Sequence, residues 1–173
     1  MNKINIIGGC PGSGKTTLSA QLAERSEVGV HIVTDQFYHF LSHRLDPSTP
    51  ESKSQNTSVV RAFLRTAESF AADGYQVYVD GVIGPWWLET IKAVLPRFNY
   101  AIMTADLEIV LERTRQRSLT AQASANSGLV RVMHAQFLQI QGHNNRTLDT
   151  SGKTPNVVVD EFLARQALGD FSC

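Results

Sequence analysis

Apolar positions along the chain recur at two periods, and the period switches repeatedly. Lys3 to Gly9 carries the β-branched Ile4, Ile6 and Ile7 and closes on a glycine pair, which predicts a short buried strand. From Thr16 to Glu24 the spacing turns helical, through Leu18, Leu22 and Ala23. Val30 to Thr34 predicts a second strand that ends at Asp35. Gln36 to Ser58 is polar, with Pro47, Pro50 and scattered serines, and predicts a long loop holding a turn or two of helix. A loop of that length is usually functional. Val59 to Ala72 predicts an amphipathic helix, with Val60, Phe63, Leu64, Ala67 and Phe70 on one face and Asp73-Gly74 as its stop.

The second half repeats the alternation. Gln76 to Val79 predicts a third strand ending at Asp80-Gly81, and Pro85 starts a helix through Trp87, Ile91 and Leu95. Asn99 to Ala105 predicts a fourth strand and Leu107 to Arg117 a charged helix. Ser118 to Ser127 is small and polar, Leu129 to Gln141 is helical, Thr147-Leu148 forms a short fifth strand, and Pro155 to Leu168 a terminal helix. Short buried strands alternating with helices predict a parallel sheet covered on both faces. The expectation is one α/β domain over residues 1–173, with a substrate loop near 36–58 and a lid near 117–128.

Composition narrows the partners. The 173 residues suffice for one sizeable core, with 42% hydrophobic and 18% charged positions. Lysine plus arginine equal aspartate plus glutamate at 16 each, so the chain has no general electrostatic footprint for nucleic acid. Cys10 and Cys173 do not suggest a disulfide. No apolar run approaches a membrane span, and Met1-Asn2-Lys3 leads straight into the first strand without a signal peptide, so a cytoplasmic chain with no membrane partner is expected.

The strand-to-helix junction reads Gly9-Cys10-Pro11-Gly12-Ser13-Gly14-Lys15-Thr16, a phosphate-binding P-loop. Its glycines let backbone N–H groups converge on an anion, Lys15 brings a charge to the β- and γ-phosphates, and Thr16 offers a hydroxyl to Mg²⁺. Gly9, Pro11, Gly12, Ser13, Gly14, Lys15, Thr16 and Thr17 are the expected nucleotide-binding residues, with ATP and Mg²⁺ as cofactors. An Asn-Lys-x-Asp guanine signature is missing, since Asn144-Asn145-Arg146-Thr147 lacks the lysine and the aspartate.

In an open parallel sheet, ligands bind beyond the carboxyl ends of the strands. Asp35 falls there, as a base that accepts the proton of an attacking hydroxyl or as a helix cap. Asp80, after Val77-Tyr78-Val79, would hold a Mg²⁺-bound water or contact the substrate, or again cap a helix. Arg113 and Arg117 share a helical face at the edge of the expected lid and can reach the triphosphate, whereas Arg115 points away. Of Trp86 and Trp87, only one can easily face the site. Arg131 and His134 could return from the far side of the lid, and His39, His43, Arg44 and Asn56 are candidate specificity residues.

These residues together resemble small P-loop phosphotransferases of the nucleoside-monophosphate-kinase type, a group that includes chloramphenicol phosphotransferase, shikimate and gluconate kinases and zeta-toxin-like kinases. The resemblance rests on Gly9 to Thr17, Thr34-Asp35-Gln36-Phe37, Val79-Asp80-Gly81, Leu111-Glu112-Arg113 through Arg117, and Leu148-Asp149-Thr150 with Thr154-Pro155. Gln55-Asn56 and Asp80-Gly81-Val82-Ile83-Gly84-Pro85-Trp86 look more like an uncharacterised bacterial kinase-like branch. The resemblance implies a three-layer P-loop NTPase fold with a five-stranded parallel sheet in the order 2-3-1-4-5. It also implies Asp35 as the base or substrate ligand, Arg113 near the adenine or phosphates, Arg117 as the lid arginine and residues 149–154 bordering the adenine. With the reading of the residues themselves, Lys15, Asp35, Asp80 and Arg117 are the expected catalytic residues, and Arg113 and Arg117 join the nucleotide-binding set. Thr16 and Asp80 would serve the metal, and Asp35, Phe37, Asn56, Asp80 and Trp86 the substrate. Asp80-Gly81-Val82 stands where shikimate kinases carry a triple glycine. Ile83-Gly84-Pro85-Trp86 lacks the arginine with which adenylate-type kinases grip a monophosphate.

The expected function is transfer of the ATP γ-phosphoryl group to a hydroxyl of a small molecule, by a monomer or homodimer. Phe37, Tyr38, Phe40, Trp86 and Trp87 favour a partly apolar, uncharged acceptor. The alternatives are a nucleoside-monophosphate kinase, for instance cytidylate-type, whose acceptor pocket would draw on Arg44, Arg61 and Arg65, and a nucleotide-binding regulatory ATPase.

Overall fold

A computed structural model describes residues 3–121, 126–140 and 142–173. Its sheet has five strands: β1 (Ile4–Gly9), β2 (Gly29–Val33), β3 (Gln76–Gly81), β4 (Asn99–Thr104) and β5 (Thr147–Asp149). They pair in parallel in the order β2-β3-β1-β4-β5, as expected. β1 is therefore central, and the turn that follows it opens where the strand order switches direction. That crevice is the place where an open α/β sheet binds ligands.

Alternation along the strands sorts the core into two layers. Ile4, Ile6, Val77, Val79, Tyr100 and Ile102 face one side, against Phe63, Leu64 and Ala67 of α3 (Lys53–Ala72) and Ile91 of α4 (Leu88–Lys92). Ile7, Tyr78, Ala101 and Met103 face the other, against Leu18 and Leu22 of α1 (Lys15–Arg25) and Val158, Val159 and Phe162 of α7 (Pro155–Ala167). The apolar side chains on each helix sit three or four residues apart, so a single stripe meets the sheet. Among the described residues no helix is long and apolar enough to cross a membrane.

Several expected boundaries move. The long loop ends sooner, because α3 begins at Lys53 behind a 3-10 turn at Pro50–Ser52. The polar residues that suggested a loop are used to fasten it: Gln55 exchanges hydrogen bonds with the Leu45 backbone at 2.8 and 3.0 Å, and Asn56 donates to Pro47 O at 2.8 Å. A short α2 (Asp35–Tyr38) opens the same segment. The charged helix α5 (Leu107–Ala121) runs past Arg117, and Ser118 satisfies its hydroxyl inside it by donating to Thr114 O at 3.0 Å. The helix expected from Pro85 is instead a 3-10 turn at Pro85–Trp87 followed by the short α4. Part of the expected lid, residues 122–125, lies outside the described residues. α6 (Ser127–Leu138) follows, its N-terminus capped by Asn126, whose side chain accepts from Gly128 N and Leu129 N.

Leu64 has no exposed surface and sits in the layer that α3 presses onto the sheet. Leu64→Ala is expected to cost about 2–5 kcal/mol in chemical denaturation; a loss below about 1 kcal/mol would mean that this layer is not close-packed.

Candidate functional site

The P-loop takes the conformation its glycines permit. Gly12 and Gly14 have φ of 82° and 94°, in the left-handed region that other residues avoid. A Cβ on Gly12 would stand 2.6 Å from Val110 O, so α5 closes directly over the loop. Gly14 is the N-cap of α1, and the positive end of that helix points into the loop. Lys15 is buried, with its Nζ donating to Cys10 O at 2.9 Å. Burial pushes its ammonium below the usual lysine range. The negative charge of Asp80 opposes this most, followed by Cys10 and Asp35, whereas Arg117 adds to the depression. Cys10 is buried and its thiol is pushed up by that burial, so it packs as a small apolar side chain. Cys10 and Cys173 are both free thiols.

Behind the loop lies a buried carboxylate. Asp80 is 3% exposed, its Oδ2 accepts from Thr16 Oγ1 at 2.6 Å, and its Oδ1 lies 2.7 Å from Nε2 of His31. Asp80 belongs to β3 and caps no helix. Thr16 itself is exposed, so its proton is engaged on Asp80 while its lone pairs stay open to solvent. No cluster of three or more metal-ligating side chains occurs among the described residues. One hydroxyl with a carboxylate behind it suits Mg²⁺, which keeps several waters and takes phosphate oxygens rather than an all-protein cage.

Two cavities flank the loop. The smaller, about 380 Å³, is lined by Gly12, Gly14, Thr17, Arg113, Arg117, Thr150 and Lys153, with Met103, Pro155 and Val158 as apolar wall. Arg113 is fixed there, donating to Thr150 Oγ1 at 2.9 Å, Thr150 O at 3.2 Å and Gly12 O at 3.4 Å. The larger, about 1170 Å³, runs from Pro11 and Asp35 between the 39–48 segment and α6. Trp86, Trp87, Ile83, Met133 and Ile140 supply apolar wall, and Tyr38, Asn56, Gln136 and Gln139 polar groups. Tyr38 donates to Asn56 Oδ1 at 3.1 Å, and burial first, then Asp35, raise its phenol above the usual range, so it stays a donor.

A family model described as an AAA domain matches residues 4–140. The chain belongs to that family. A Thermococcus kodakarensis protein named "Putative adenylate kinase" is 27% identical over 163 residues, covering 92% of this chain and 83% of its own length. Among solved structures, a sugar kinase from a Janibacter species superposes with a TM-score of 0.69 at 12% identity, covering 96% of this chain and 95% of that one. The Mycobacterium tuberculosis APS kinase in complex with AMPPNP and APS gives 0.66 at 15% identity, over 96% and 99% of the two chains. The chain is thus an AAA-domain protein with a P-loop, and the relative and the two structures it is similar to carry kinase names, one of them holding the ATP analogue AMPPNP.

Within this AAA-domain chain, most residues singled out from sequence meet at the loop. Gly12, Gly14, Thr17, Arg113 and Arg117 line the smaller cavity, and Pro11, Asp35, Asn56 and Trp86 the larger. Gly9, Ser13, Lys15 and Thr16 complete the loop between them. Asp35 is the first residue of α2, whose N-cap is Thr34, so it does not cap that helix. Phe37 packs edge-on to Phe63 and Phe40, at 6.1 and 5.5 Å between ring centroids, and is not among the residues that line the larger cavity. Trp86 and Trp87 both line it, because the 3-10 turn spreads consecutive side chains over one rim. His39 and Arg44 line it too, but His43 does not. His134 is buried, with Nε2 2.8 Å from Ala105 O, and serves packing, while Arg131 is exposed and lines neither cavity. Arg115 pairs with Glu112 at 2.8 Å, on the outer face as expected.

Two elements of the site were not anticipated. His31 is one; its β2 position opposite Tyr78 puts it two residues from Val33, the partner of Asp80. On α6, Val130, His134 and Phe137 are buried, while Leu129, Met133 and Gln136 line the larger cavity with Val130, joined by Gln139 and Ile140 just beyond the helix. The helical spacing of Leu129, Met133 and Gln136 was visible in the sequence.

Gly12→Ala would force the loop out of its nest. ATP-analogue affinity is expected to fall roughly 10- to 100-fold by fluorescence titration; wild-type affinity would mean that the loop accommodates a Cβ against Val110.

Proposed function

We propose that this AAA-domain protein transfers the γ-phosphoryl group of ATP to a hydroxyl of an uncharged, partly apolar small molecule held in the larger cavity. The observation that carries this reading is the placement of Asp35. It lines the larger cavity with Pro11 of the loop, and its charge acts on the Lys15 ammonium. The nucleoside would occupy the smaller cavity, against Thr17, Arg113 and residues 150–155, with its triphosphate in the loop. Lys15 and Arg117 would neutralise the phosphates, and Thr16, backed by Asp80, would meet the Mg²⁺, which offsets charge between the β- and γ-phosphates. Asp35 would take the acceptor proton as the acceptor oxygen bonds to the γ-phosphorus and the bond to the bridging oxygen breaks, releasing ADP.

The chemistry of the cavity wall supports the acceptor class. Ligand pockets commonly span about 300–1,000 Å³, and this one reaches about 1170 Å³ with two tryptophans, Met133 and Ile140 in its wall. A nucleoside-monophosphate kinase is the second reading, favoured by the name that the Thermococcus relative carries. It calls for clustered cations around a phosphate. Arg44 is the arginine that lines the larger cavity among the described residues, while Arg61 and Arg65 are exposed on α3, Arg65 paired with Glu68 at 2.6 Å.

ADP release should therefore be stimulated by hydroxylated aromatic or amphipathic compounds in a panel that also holds sugars, nucleosides and nucleoside monophosphates. Stimulation by a monophosphate alone would select the second reading. With the best acceptor, Asp35→Asn is expected to lower kcat about 10²- to 10⁴-fold and to leave the ATP KM near wild type. Full turnover by that variant would remove Asp35 as the base.

A further inference from the structure

The side chain of His31 is 19% exposed and the strand that carries it, β2, is the edge strand of the sheet. Neither cavity is lined by it. Its Nε2 nevertheless reaches Asp80 Oδ1 at 2.7 Å, while Asp80 Oδ2 is engaged by Thr16 at 2.6 Å. We propose that His31 is a positioning residue for the metal side of the phosphate site: by donating to Asp80 it fixes the carboxylate that orients the Thr16 hydroxyl. The inference rests on Thr16 and Asp80 serving Mg²⁺ and is independent of the acceptor.

The reasoning is one of competition for a buried charge. An ionised carboxylate only accepts hydrogen bonds, so Nε2 carries the proton in this contact. With both oxygens held, the plane of the Asp80 carboxylate has no freedom, and the Thr16 proton is drawn away from the loop. Asp80 is also the largest counter-charge felt by Lys15, yet Lys15 donates to Cys10 O instead. Without His31, one oxygen of a carboxylate that is 3% exposed would lose its partner. The cheapest remedy is rotation toward Lys15, whose ammonium already feels the Asp80 charge. Rotation would pull Asp80 off Thr16 and occupy the lysine that the phosphates need. His31 therefore keeps two functional groups apart as well as one in place. Groups that orient a metal ligand in this manner commonly matter as much as about 10- to 100-fold in metal affinity or activity.

The experiment is titration of Mn²⁺ into the protein saturated with a non-hydrolysable ATP analogue, followed by electron paramagnetic resonance, with folding checked by thermal melting. His31→Ala is expected to weaken Mn²⁺ binding about tenfold. His31→Gln, whose amide can place an N–H near the same point, should recover most of that loss. Mn²⁺ affinity in His31→Ala equal to wild type overturns the proposal, and so does a loss that His31→Gln fails to recover while melting like wild type. If His31→Ala does not fold, the glutamine variant decides alone: near-wild-type Mn²⁺ affinity supports the proposal and a tenfold loss overturns it. Thr16→Ala and Asp80→Asn are run beside them. If neither weakens Mn²⁺ binding, the metal reading of that pair fails, and the inference about His31 falls with it for a cause the parallel arms identify.

Discussion

Burying the ammonium of Lys15 is the cost around which this structure is arranged. A cation withdrawn from water is expensive unless it is hydrogen-bonded and faced by opposite charge. Here it also sits in the first turn of α1, where the helix dipole is itself positive. The fold answers with a carbonyl, Cys10 O, and with the buried carboxylate of Asp80, which then has to be held by Thr16 and His31. One carboxylate does not cancel the ammonium, the helix end and the converging loop amides together. The remaining positive potential is what a polyphosphate would complete.

The same constraint sets how the surrounding elements pack. α5 lies against Gly12 closely enough to exclude a Cβ, and Arg113 ties that helix to Thr150 beyond β5. Thr150 is buried and lies 3.2 Å from both Ser13 O and Thr104 O. The loop, α5 and the turn after β5 thus share hydrogen bonds beside the smaller cavity. The other side is built differently. Its wall comes from the fastened 39–56 segment, the 3-10 turn that carries Trp86 and Trp87, and the cavity-lining residues of α6.

Sheet, loop and strand order were legible because short-range rules govern them: β-branched runs, a glycine-rich junction, and helices that each bury one stripe. Asp80 and Asp35 were legible for a related reason, since topology alone puts strand ends at the crevice. What escaped depended on partners distant in sequence. Gln55 and Asn56 looked like loop residues because their hydrogen bonds run to Leu45 and Pro47, which no local period reveals. Phe37 packs on Phe63, a contact that its position beside Asp35 does not reveal. His31 escaped because its significance exists only through β2–β3 register. Asp35 and Trp86 both line the larger cavity, whose size could be read only once α6 was placed.

The segregation of the two cavity walls along the chain has an evolutionary consequence. The smaller one draws on residues 12–18, 103–117 and 150–158, and the larger mostly on 34–63, 82–87 and 126–143. The two sets of residues meet at Pro11 and Gly12 of the loop and at Arg113 and Thr114 of α5, and otherwise come from different stretches of chain. Drift in the segments that wall the larger cavity can therefore proceed without loss of a residue that lines the smaller one.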